Sequence, residues 1–122
     1  MTGESFFLLM SHCDTILYEC VLRELSNAYH DDRIILVCDG AAWHTAKALK
    51  TPPNIRLLFL PPATPEMNPI EQVWKEIRKR GFKNEAFQTL DNVIIRLCDS
   101  ISSLSCETIR SITARDWIVK CF

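Results

Sequence analysis

Two carboxylates in this chain of 122 residues stand where chemistry is commonly placed. Asp39 follows Arg33-Ile34-Ile35-Leu36-Val37-Cys38, an almost unbroken apolar and β-branched run that suits a central strand covered on both faces. The carboxyl end of such a strand is where open α/β sheets gather ligands, because the strand holds the backbone rigid while the next turn opens the site. Gly40 is expected to free that turn. A carboxylate so placed is a candidate metal ligand; the alternative is a solvated Asp-Gly turn that ends a strand. Glu71 is the second candidate. With Asn68 as N-cap and Pro69 as the first helical residue, Glu71 falls where a capping-box glutamate reaches back to the cap N–H and favours the helix dipole. It is also one turn from Lys75, in reach of an ion pair. Against those local roles stands the pairing: two carboxylates brought together can hold one divalent cation.

The elements that must position these groups follow from periodicity. Ser5 to Met10 reads as a short buried strand. Thr15 to Tyr29 places Ile16, Leu17, Cys20, Val21, Leu25 and Ala28 at helical spacing, with Asp14 as N-cap. The strand before Asp39 comes next, and Thr45 to Lys50 suggests a brief helix closed by Thr51-Pro52-Pro53. Asn54 to Leu60 is a third strand, stopped by Pro61-Pro62. A helix from Pro69 to about Arg80 puts Ile70, Val73, Trp74 and Ile77 on one face. Leu90, Val93, Ile94, Leu97, Cys98, Ile101 and Leu104 mark another helix, and a last one starts near Ser105 with Cys106, Ile109, Ile112 and Trp117 inward. This is an α/β order in one domain, 1–122, with no repeat or linker, and three strands make a thin sheet for so many helix faces.

Composition narrows the class. With 48% hydrophobic and 24% charged residues, and only 3 Gly and 6 Pro, the chain has enough apolar content for a core, which excludes disorder and low complexity. The apolar run Phe6 to Met10 is far short of a membrane span and no basic stretch precedes it, so a cytoplasmic protein without membrane contact is expected. A net charge of -1 gives no global field for holding DNA, so any nucleic-acid contact must be local. Lys75, Arg78, Lys79, Arg80 and Lys83 lie on the exposed side and end of the Glu71 helix. They are candidate phosphate contacts or, alternatively, a solvated face that complements the helix dipole. Six cysteines (Cys13, Cys20, Cys38, Cys98, Cys106, Cys121) form no C-x-x-C pair and mostly replace apolar residues, pointing to buried free thiols.

The segment Ile34-Ile35-Leu36-Val37-Cys38-Asp39-Gly40-Ala41-Ala42-Trp43-His44, then Leu60-Pro61-Pro62-Ala63-Thr64-Pro65-Glu66-Met67-Asn68-Pro69-Ile70-Glu71-Gln72-Val73-Trp74, resembles the catalytic domain of bacterial insertion-sequence transposases of the mariner-like superfamily. The likeness runs from about Gly3 through Trp117. It implies an Asp-Asp-Glu triad on a ribonuclease H-like, three-layer fold, with Asp39 as the second catalytic Asp, Glu71 as the catalytic Glu, and 31 residues between them. It implies that His44 is an accessory group near the metal site, though an ordinary turn histidine is the alternative. Trp43, Pro61, Pro62, Asn68, Pro69 and Trp74 are then scaffold, with Trp74 packing the underside of the helix. Ala63 and Thr64 stand where the family commonly has Tyr and Ser.

The resemblance also sets expectations about what surrounds the chain. The family's first triad Asp lies on a strand upstream of Ser5 to Met10, and Asp14 follows the wrong strand to replace it. The helix-turn-helix segments that bind transposon ends lie upstream as well. The chain is therefore expected to be the C-terminal part of such a domain, truncated at its N-terminus and inactive alone. The family triad holds two divalent cations about 4 Å apart, Mg2+ or Mn2+ by donor hardness. The implied partners are DNA and, alternatively, an upstream fragment from a split frame or a full-length transposase bound as a non-catalytic module. A bacterial cytoplasmic location, associated with the nucleoid, follows from the same likeness.

Overall fold

The run after Arg33 forms strand β1 (Ile34–Cys38), paired in parallel with β2 (Ile55–Phe59) from Ile34 opposite Ile55 to Cys38 opposite Phe59 in the computed structural model, which describes residues 2–121. Helix α1 (Thr15–Ala28) precedes the strands; α2 (Ile70–Gly81), α3 (Leu90–Ser102), α4 (Cys106–Thr113) and α5 (Asp116–Cys121) follow them. The α/β class expected from the sequence holds. The chain divides into two compact units, Phe6–Asn68, and Met1–Ser5 together with Pro69–Phe122.

Within Phe6–Asn68, the two-stranded sheet departs from expectation in three places. Residues 2–10 form no strand, because the apolar run lacks a ladder partner: β1 bonds to β2, and no third strand joins them among the described residues. Phe6, Leu8 and Leu9 remain exposed. Parallel strands need a long crossover, usually helical, yet residues 39–54 cross without a helix. Thr45 to Lys50 makes only turns, such as Leu49 N–H to Ala46 O at 3.0 Å. Six residues before two prolines are too few to offset helix nucleation, and the Lys50 N–H donates instead to the Glu19 carboxylate at 2.8 Å. Gly40 does not use glycine's freedom either: its φ is not positive, and a Cβ there would meet open space.

Polar groups join α1 to the strand connections. Asp14 caps α1 as expected, accepting the Leu17 N–H at 2.8 Å. Asn54, just before β2, donates from Nδ2 to the Tyr29 and Asp32 carbonyls at 3.2 and 3.3 Å, and its Oδ1 accepts the Ser26 hydroxyl at 2.6 Å. One side chain thus ties the end of α1, the turn after it and the start of β2. Leu22, Cys38 and Ile55 are the buried apolar side chains of this unit.

The helical unit is organised by α2, whose buried positions Val73, Ile77 and Gly81 recur every four residues and form one stripe. Helices α3 and α4 both pack on α2. Gly81 permits the close approach of α3, since a Cβ there would run into the Ser100 hydroxyl. That hydroxyl is buried and donates to Arg96 O at 2.8 Å. Thr89 caps α3 and Ser105 caps α4, accepting N–H bonds from Asn92 and Thr108. The inward stripe expected for α3 is half right: Val93, Ile94, Leu97 and Ile101 are half-buried, but Leu90 is 73% exposed and Cys98 is exposed. Trp74, expected to pack the underside of α2, is 40% exposed. The single last helix expected from Ser105 is two, broken where Ala114 leaves helical geometry (ψ 89°) and Asp116 opens α5. Before the break, the Thr113 hydroxyl bonds Ile109 O at 2.7 Å, a β-branched side chain turning back on its own helix.

The five cysteines with described side chains are free, as expected, but only Cys38 is buried; Cys13, Cys98 and Cys106 are exposed, and the Cys121 side chain lies outside the described part.

Candidate active site

Asp39 stands immediately past β1. The Leu60 N–H donates to Cys38 O at 2.9 Å, carrying the ladder to the last strand residue before it, so the backbone at Asp39 leaves a fixed point. The side chain is 66% exposed. Its Oδ1 accepts the Ala41 N–H at 3.3 Å, the local bond of an Asx turn. Its Oδ2 has no hydrogen-bond partner among the described residues.

His44 returns to Asp39 across this turn. Its Nδ1 lies 3.0 Å from the Asp39 carbonyl oxygen and 2.8 Å from Oδ1, while the ring is only 15% exposed. Both neighbours are acceptors, so Nδ1 is the nitrogen that carries the proton, and Nε2 holds the lone pair in the neutral ring. The ring is backed by Tyr18 of α1, centroids 4.5 Å apart at 47°, and met edge-on by Trp43 at 5.8 Å and 78°. The Tyr18 hydroxyl is buried beside the Cys38 thiol. Burial first, then the neighbouring Cys38 and Asp39, push the Tyr18 phenol far up, so it stays protonated. Burial also pushes the Cys38 thiol up, with Tyr18 opposing and Asp39 adding to the shift.

Glu71 sits in the first turn of α2, half-buried. By hydrogen bonds the helix begins at Ile70, but Pro69 already has helical angles (φ -60°, ψ -25°) and Asn68 is extended, so the backbone turns helical at Pro69 as the proline implies. The two local roles open to Glu71 do not form. The Asn68 N–H donates to Pro65 O at 3.0 Å, and Glu71 makes neither a capping-box bond nor an ion pair with Lys75. Its carboxylate is left with the helix N-terminus, whose dipole favours negative charge there.

The structure thus brings Asp39 and His44 together and places Glu71 on the other compact unit. Among the described residues, no three His, Cys, Asp or Glu side chains form a metal-holding group. The donors suit the cation the resemblance implies, since carboxylate oxygens such as those of Asp39 and Glu71 are hard ligands for Mg2+ or Mn2+, and among the described residues both keep an oxygen without a protein partner. Along α2, Lys75, Arg78 and Lys79 are exposed and make no ion pair within 4 Å among the described residues. Arg80 is committed elsewhere, to Glu76 at 2.8 Å and Ser103 O at 2.9 Å. No described helix is long and apolar enough to cross a membrane. The sequence reading missed the backing of His44 by Tyr18. The apolar stripe of α1 passed over this residue, although an aromatic within that helix was a signal for it.

Comparison with known proteins agrees with the motif. The family described as DDE superfamily endonuclease matches residues 2–94, a stretch that holds Asp39, His44 and Glu71 together. An uncharacterized protein, y4pE/y4sA of Sinorhizobium fredii (strain NBRC 101917 / NGR234), is 35% identical over 118 residues, covering 94% of this chain and 87% of the relative. No solved structure matches the chain. With its strand-end Asp, its proline-led helix bearing a free Glu and a family match over most of its length, the chain belongs to the DDE superfamily endonucleases.

Proposed function

We propose that the chain is a transposase-like catalytic segment in which Asp39 and Glu71 are metal ligands for DNA strand cleavage and transfer on a ribonuclease H-like fold. The observation that carries this reading is the placement of both acids: each stands at the start or end of an element, and among the described residues each keeps at least one carboxylate oxygen without a protein partner. Divalent cations held by these carboxylates would activate the attacking oxygen and stabilise the leaving oxygen of a phosphodiester. Asp39 contributes a ligand fixed by the end of β1; Glu71 contributes one presented by the first turn of α2. Lys75, Arg78 and Lys79 contact DNA phosphates as point charges that hold the strand without reading its sequence.

Two carboxylates are one short of the family triad, so these 122 residues are inactive by themselves. A supercoiled plasmid incubated with the purified chain and Mg2+ or Mn2+ stays intact under this reading. Nicking that disappears in Asp39→Ala would show that the chain carries a complete site. A non-catalytic module bound to an intact transposase is the second reading. It is favoured by Ile35, Leu58 and Phe59, which leave the two-stranded sheet with exposed apolar side chains. Retention of intact transposase by the immobilised chain at micromolar concentration supports it, and no retention removes it.

A further inference from the structure

The geometry points to His44 as a positioning residue for Asp39, acting through its Nδ1–H, with the Tyr18 ring as its backing. This rests on the reading of Asp39 as a metal ligand and adds to it a role for a specific proton. Three observations carry it. The Nδ1 atom is within 3.0 Å of two acceptors that belong to the same residue, the carbonyl and Oδ1 of Asp39, so one N–H fixes both the backbone turn and one carboxylate oxygen. The ring is 15% exposed against an Asp39 side chain that is 66% exposed, so a surface carboxylate is met by a largely enclosed partner. Tyr18 packs against the ring at a tilt of 47° and Trp43 meets it edge-on at 78°, which restricts its plane without using either ring nitrogen. The consequence is directional. Oδ1 is engaged by His44 and by the Ala41 N–H, and Oδ2 is left to project from the strand end as the ligand atom. This is the arrangement by which a group behind a carboxylate ligand orients it.

Two substitutions separate the proton from the ring. His44→Asn keeps an N–H donor near the position of Nδ1 and loses the ring; His44→Phe keeps the ring against Tyr18 and loses the donor. In the full chain labelled with 15N and 13C, the neutral His44 ring should show Nδ1 protonated in long-range 1H–15N spectra. The Asp39 13Cγ resonance should move in His44→Phe and stay in His44→Asn. Mn2+ titration followed by electron paramagnetic resonance should give affinity retained in His44→Asn and weakened roughly tenfold or more in His44→Phe, the usual cost of removing a group behind a ligand. An Nε2–H tautomer in the wild-type chain, or a Phe variant with unchanged Asp39 13Cγ, overturns the inference, and the tautomer measurement stands even where a variant fails to fold. Asp39→Asn distinguishes the underlying reading. If that variant binds Mn2+ as tightly as wild type, Asp39 is not the ligand, while the tautomer and 13Cγ results still judge whether His44 holds it.

Discussion

The two compact units are held together by different physics. In Pro69–Phe122, Val73, Ile77 and Gly81 of α2 and Ile109 of α4 are buried, and the packing of α3 and α4 on α2 organises everything else. In Phe6–Asn68 the sheet has only two strands, its crossover has no helix, and the segments are joined by side chains that bond backbone: Asn54 to two carbonyls, Glu19 to the Lys50 N–H, His44 to Asp39. The difference bears on function. Apolar packing tolerates small shifts of a surface group, whereas directional bonds restrict the orientation of a carboxylate. Asp39 lies in the polar-bonded unit and is clamped; Glu71 lies on the packed helix and is presented by its backbone.

The largest expected effect is in the helical unit. Ile77, 1% exposed, lies at the centre of the α2 stripe, and Ile77→Ala should destabilise by about 2 to 5 kcal/mol, read from urea unfolding. A cost under about 1 kcal/mol would mean that the helices are not held by this stripe. The α2–α3 contact is tested next. Gly81→Ala drives a methyl into the Ser100 hydroxyl and should destabilise by about 1 to 3 kcal/mol despite alanine's better helix propensity, and Ser100→Ala in the same chain should recover most of the loss. Additive single effects would show that the two residues do not meet.

In the sheet unit the corresponding cut is polar. Asn54→Ala removes two N–H donors and the acceptor for Ser26, and should cost about 1 to 3 kcal/mol, the penalty for leaving carbonyls without partners. A neutral outcome would make the contrast between the units false. The smallest effect belongs to Glu76. Its hydrogen bond to Arg80 holds the carboxyl below the usual glutamate value, so its contribution to stability is present above that ordinary value and lost as pH falls through the lower folded-state value. Thermal melts of wild type and Glu76→Gln should therefore differ near neutrality and converge in acid; a difference that persists in acid would assign the effect to packing.

The same contrast explains how far the sequence could be read. Helical spacing found α1 and α2 nearly to the residue and the middle of α3, because an apolar stripe is written into one segment. It could not show that Ala114 breaks the last helix, or that Gly81 and Ser100 set a helix contact, since both depend on what lies opposite. The run Ser5 to Met10 had the composition of a strand, but a strand is made by its neighbour, and none pairs with it among the described residues. Asp39, His44 and Glu71 were legible as a motif. The His44–Asp39 clamp and its Tyr18 backing were not, because they join residues from α1 and the crossover that no local pattern connects.

The most direct test of the central claim is Mn2+ binding to the wild-type chain, Asp39→Asn and Glu71→Gln, each checked for folding by circular dichroism and titrated by electron paramagnetic resonance. If each carboxylate is a metal ligand, wild type binds Mn2+ and each substitution weakens that binding. Binding that survives unchanged in both folded variants would contradict it.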